Sequence, residues 1–141
     1  MIDTFVADLH INLKKSSKEK IKNYLVFDQS HFISQDIADK LQNNMLYLVV
    51  YENSDDIPEP KADLMRVVGR IIQIEVNKDS VKVKAKIYSN TPLTAFVENT
   101  GRDNFMITPV GYGTVIDGVV QDDYRLDYFA LIPKPLEQRK F

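Results

Sequence analysis

Two histidines, His10 and His31, are the first residues to ask for chemistry, because the chain contains no cysteine. Thiolate nucleophiles, thiolate metal sites and disulfides are therefore excluded. Neither histidine has metal-ligand spacing to another, and Ser30 beside His31 is not a catalytic pair by adjacency, since such groups are assembled in space. Both are read as structural or surface residues. Asp117, Asp122, Asp123 and Asp127 crowd one stretch. A calcium loop, however, sets its oxygens at tighter intervals and closes on a glutamate. Turn chemistry and strand-edge charge explain these aspartates better, so no metal and no cofactor is expected.

Two further groups are suited to recognition. Lys82, Lys84 and Lys86 alternate along one segment. They read as the solvated face of an amphipathic hairpin, with Glu75 a cross-strand partner, rather than as a contact for nucleic acid or an acidic protein. Tyr112, Tyr124, Tyr128 and Phe129 are a potential stacking platform, but their acidic neighbours favour core or rim packing. Gly111-Tyr112-Gly113 suits a positive φ, a bulge or a close backbone approach. It is no phosphate loop. If the chain has a functional site, it is expected between Phe105 and Pro133.

These residues must be held by elements legible in the pattern. Phe5, Ala7, Leu9, Ile11 and Leu13 share one parity, so 4–13 reads as a half-buried strand with His10 on its polar side. KKSSKEKIKN is an exposed loop, and Tyr24–Phe27 a short apolar strand or extended segment. Ser34 caps a helix that carries Ile37, Ala38 and Leu41 on one face, with Ile33 and Ala38 as a staple and Asn43-Asn44 as the stop. Met45–Tyr51 is a central strand buried on both faces. ENSDDIPEPKAD is a long loop. Val67–Tyr88 is a hairpin turning at Asn77–Ser80, with Ile72, Ile74 and Val76 facing inward. Thr91-Pro92 starts a second helix that presents Leu93, Phe96 and Val97 and ends at Gly101. Asp117-Gly118 marks a tight hairpin before the last strand.

The chain has 141 residues, 44% of them apolar and 27% charged, with a net charge of −2. Such a chain folds as one globular domain, expected over 1–133 with a polar tail over 134–141. The weak negative charge argues against wholesale phosphate binding. No run spans a membrane, and MIDTFVADLH does not read as a signal peptide. The expected class is α+β, mainly β: an antiparallel barrel or strongly curved sheet of six to seven strands with two short helices packed outside.

Several segments, in order, resemble the prohead protease family of tailed bacteriophages in its T-even type, whose fold is similar to that of the herpesvirus maturation proteases. They are KNYLVFDQSHFISQDIADKLQ, MLYLVVYEN, VVGRIIQIEVNKDSVKVKAKIYSNTPLTAFVENTG and ITPVGYGTVIDGVVQDDYRLDYFALIP. The resemblance implies a serine nucleophile just before the glycine step and a His-Pro after the central strand. This chain has Thr108-Pro109-Val110-Gly111 at the first place and Asn53-Ser54-Asp55-Asp56 at the second. An internal threonine without a base is a poor nucleophile.

The resemblance therefore implies a protein that keeps the fold and has lost the chemistry at Thr108, Pro109, Asn53 and Ser54. It would be a non-proteolytic phage head-assembly or capsid-associated protein. The major capsid protein or another head protein is the expected partner, with self-association beside it and no membrane. It would reside in the virion or in the host cytoplasm during assembly. Lys82, Lys84, Lys86, Tyr112, Tyr124 and Tyr128 supply its interaction surface. Two alternatives stay open. One is a divergent protease using Thr108 with His31 or His10 as base. The other is a small-barrel protein that binds nucleic acid or blocks a host defence factor.

Overall fold

The computed structural model describes residues 4–12, 27–52, 63–78, 80–134 and 137. The fold is α+β and mainly β. Strands β2 (Tyr47–Val50), β3 (Val67–Val76), β4 (Ser80–Tyr88), β5 (Phe105–Tyr112) and β8 (Arg125–Pro133) form a curled half-barrel sheet, and β1 (Thr4–Asn12) adds itself to β4. The order is β1-β4-β3-β2-β8-β5. The curl brings β1 and β5 towards one another. A second sheet is a ribbon of only two short strands, β6 (Val115–Ile116) and β7 (Val119–Val120). Helices α1 (Gln35–Gln42) and α2 (Thr94–Thr100) complete the fold.

The sheet is mixed rather than antiparallel throughout, because β2 lies parallel to β8 while the other pairs are antiparallel. Parallel neighbours need a long crossover, and β3, β4, α2 and β5 supply one. Strand β2 is the buried central strand that its apolar run predicts: Leu48, Val49 and Val50 are sealed on both faces. Strand β8 is its equal, with Tyr128 to Ile132 all buried.

The two faces of the sheet bury different things. On the first lie Leu48, Val50, Ile71, Val83, Ile87, Ile107, Phe129 and Leu131, covered by Phe27, Phe32, Ile37 and Val97. Each such side chain, fully buried, contributes about 1.5–3 kcal/mol. On the second lie Val49, Tyr51, Val110, Tyr128 and Ala130, with Tyr47 and Val67 against them.

Local signals fared unevenly. Ser34 caps α1 as expected, its Oγ accepting from the Ile37 N–H at 3.2 Å. Asn43 is the C-cap, and Asn44 takes a positive φ of 58°. The staple is absent. Ile33 is 65% exposed and Ala38 is exposed, because the chain enters α1 from a 3-10 turn (Gln29–Phe32) that buries His31 and Phe32 instead. Lys40 ties α1 to the sheet by donating to the Leu126 carbonyl at 2.6 Å.

Helix α2 begins at Thr94, not at Pro92. The Thr94 hydroxyl donates to the Tyr88 carbonyl and accepts from the Thr91 N–H, which holds residues 91–93 in a turn. Gly101, with φ 92°, ends α2 as expected.

In β3 a bulge at Ile72 shifts the phase, so Ile71, Ile74 and Val76 face the core and Ile72 does not alternate with them. Leu13, the extended segment 24–26 and most of the tail lie outside the described residues.

Candidate functional site

The expected site region joins two buried strands, β5 and β8, through the exposed β6–β7 ribbon. Thr108 lies in mid-strand opposite Ala130 and is 0% exposed. Its hydroxyl has only the Pro109 carbonyl, at 3.4 Å. Pro109 stands opposite Phe129 in a strand at the sheet edge, where a missing N–H is tolerated. The matching positions Asn53 and Ser54 lie outside the described residues.

The glycine step is explained by one tyrosine. A Cβ on Gly111 would collide with the Arg125 carbonyl oxygen and come within 2.8 Å of the Tyr124 Oη. A Cβ on Gly113 would lie 2.7 Å from the Tyr124 Cα. Both glycines are thus absent side chains against Tyr124, and the register slips between Val110 and Gly111 to accommodate it. The Tyr124 ring meets Phe27 and His31 edge-on, with centroids 5.3 and 5.6 Å away. Burial, with Asp127 nearby, pushes the Tyr124 phenol well above its ordinary range.

His31 is wholly committed to the backbone. Its Nδ1 accepts from the Asp28 N–H at 2.8 Å, which closes a capping box with the Asp28 carboxylate. That acceptor role assigns the proton to Nε2, which donates to the Gln121 carbonyl at 2.9 Å. The ring ties the turn at 29–32 to the foot of the β6–β7 ribbon. It has no nitrogen left to serve as a base. His10 lies on β1, its backbone opposite Lys82.

The aspartates do turn chemistry. Asp117, with φ 51°, and Gly118, with φ 79°, form the tip of the ribbon. Asp123 accepts from the Thr114 N–H at 2.9 Å and from its hydroxyl at 2.6 Å. Those two bonds hold its carboxyl below the ordinary 3.8. Among the described residues no three His, Asp or Glu side chains gather as metal ligands would.

The aromatics pack as core or rim, as expected, and form no stacking platform; Phe129 is buried. Tyr128 is fully buried on the second face, Tyr124 packs on the first, and Tyr112 is exposed at the end of β5. Strand parity and packing, not proximity in the chain, separate them.

The structure instead assembles a band on the second face. Register sets Lys86 opposite Arg70, and Arg70 opposite Tyr47. Lys84 stands opposite Gln73, and Lys82 opposite Glu75 as expected. Backbone register also sets Asp8 of β1 against Lys84.

At the apolar end the Tyr51 and Tyr128 hydroxyls are 3.3 Å apart. Burial first, then that contact, drives the Tyr128 phenol far up. Arg66 lies over the Tyr51 ring, 5.2 Å from its centroid, and donates to Glu52 at 2.8 Å. Among the residues whose side chains are described, no carboxylate lies within ion-pair distance of Arg70, Lys84 or Lys86. The Arg70 Nε is buried without an acceptor. Arg66, Arg70, Tyr47 and Tyr51 escape a reading of the sequence because bulges in β2–β3 and β3–β4 set their faces.

Comparison with protein-family models, curated proteins and solved structures finds no match. Among the described residues no helix is long and apolar enough to cross a membrane.

Proposed function

We propose that this chain is a non-enzymatic recognition protein with a prohead-protease-like half-barrel. It would serve phage head assembly by docking on the major capsid protein, another head protein or a second copy of itself. It would work in the host cytoplasm during assembly or stay in the capsid. One observation carries the non-enzymatic part. Thr108, which stands where the resembled family has its nucleophile, is sealed inside the sheet, and both ring nitrogens of His31 are spent on backbone groups. A hydroxyl that substrate cannot reach and an imidazole without a free nitrogen do not make an acyl-transfer site.

The assignment to phage heads rests on the sequence resemblance alone. Incubation of the purified protein with head scaffold and capsid proteins tests the reading. No cleavage is expected, together with co-sedimentation with the capsid protein. Specific cleavage that disappears in Thr108→Ala would overturn it.

A further inference from the structure

We propose that the β6–β7 ribbon of one copy docks on the cationic band of a second copy, head to tail. The ribbon and the adjoining end of β5 carry apolar side chains into solvent: Val115, Ile116 and Val119 on the ribbon and Tyr112 beside it are between 44% and 56% exposed. Ile116 and Val119 are a cross-strand pair at its tip. Exposed apolar groups gathered on one protrusion mark an interaction site.

The ribbon is also held in shape. Asp117 and Gly118 both take the positive φ that a tight hairpin turn requires. The Gln121 N–H donates to the Thr114 carbonyl at 2.9 Å, and Asp123 clamps Thr114 from its side chain. His31 grips the Gln121 carbonyl from the core. A rigid finger loses little freedom on binding.

Charge selects the occupant. Exposed Asp117, Asp122 and Asp123 accompany the apolar side chains. The matching surface is apolar with positive tips, and the second face of the same chain has that chemistry. Half-buried Tyr47 and Tyr88 stand beside Arg70, Lys84 and Lys86, whose stems are apolar and whose heads are cationic, with Asp8 of β1 set against Lys84 by backbone register. Glu75 and the buried Tyr128 make this face a poor one for stacked bases, so an acidic polypeptide suits it better than a nucleic acid.

The finger and the band are different surfaces. The contact is therefore heterologous and propagates beyond a dimer unless it closes into a ring. A single finger covers less than the roughly 800 Å² per partner of a standard interface, so association is weak and depends on concentration and salt.

Sedimentation velocity of the full chain tests this between about 10 μM and 1 mM, a range that brackets weak contacts. Species larger than a monomer are expected to grow with concentration and to recede in high salt. The pair Asp117→Lys with Asp122→Lys, and the pair Lys84→Glu with Lys86→Glu, should each weaken association at least tenfold. Mixing the two reversed variants should restore a heteromeric complex. Asp117 and Asp122 are exposed and Lys84 and Lys86 half-buried, and circular dichroism checks that each variant folds. A wild-type chain that stays monomeric throughout the low-salt series overturns the proposal, as does association that both reversals leave unchanged. Either failure leaves the non-enzymatic reading standing, since that rests on Thr108 and His31.

Discussion

The two faces of one sheet are built from the same strands by alternation, yet they end in opposite chemistry. The first face is apolar from edge to edge and roofed by Phe27, Phe32, α1 and α2, with the polar His31 admitted because both its nitrogens are bonded. The second starts as apolar at Tyr128, Ala130 and Val49. It crosses the Tyr51–Tyr128 hydroxyl contact and finishes on Arg70, Lys84 and Lys86. A sheet face that helices cover is free to spend every residue on stability. A face on which no helix packs among the described residues retains polar groups, and those are what a partner can read.

If that division is right, substitutions on the first face cost stability and those at the cationic end of the second do not. The largest effect is expected for Phe129→Ala, which leaves a cavity beside Phe32. We expect a loss of about 3–5 kcal/mol, read from urea unfolding. Next comes His31→Leu, which keeps the volume but strands the Asp28 N–H and the Gln121 carbonyl. About 2–4 kcal/mol should go, with faster hydrogen exchange in the β6–β7 ribbon.

Gly111→Ala drives a Cβ into the Arg125 carbonyl and should cost about 1–3 kcal/mol, checked by thermal melting. Tyr128→Phe removes one hydroxyl from the second face and should cost about 1 kcal/mol. Lys84→Ala should stay within about 0.5 kcal/mol of the parent in the same melt. A loss near that of Phe129→Ala would erase the distinction between the faces.

The pH dependence sharpens the comparison at the ribbon. The folded chain holds the Asp123 carboxyl below its ordinary 3.8 through Thr114. A depressed acid stabilises fully above its unfolded value, and that contribution fades as pH falls through the folded value. Asp123→Asn should therefore lower stability at neutral pH, and the gap to the parent should narrow below about pH 4. A gap of constant size down to acid would show that the Asp123–Thr114 clamp does not contribute.

Several features were legible beforehand because they are local. The Ser34 cap, the Asn43-Asn44 stop, the Asp117-Gly118 turn and the Gly101 helix end each depend on a few adjacent residues and their φ preferences. Val81, Val83, Ala85 and Ile87 announced their burial by alternation alone. The Gly111-Tyr112-Gly113 step announced a close approach but not its object, since Tyr124 arrives from beyond the ribbon. Core or rim packing of the tyrosines was legible from their acidic neighbours, but not which surface each would take.

What the amino-acid order determined by itself was the main strands, the turns between them and, where no bulge intervenes, the side of a strand that turns inward. Those follow from backbone sterics and a period of two, which act over a few residues. Only the tertiary structure decided that β8 slides in parallel beside β2, that bulges in β3 aim Arg70 at Lys86 and Tyr47, and that His31 reaches Gln121. Those depend on which distant segments bury surface together, and a one-residue slip in register exchanges the two faces.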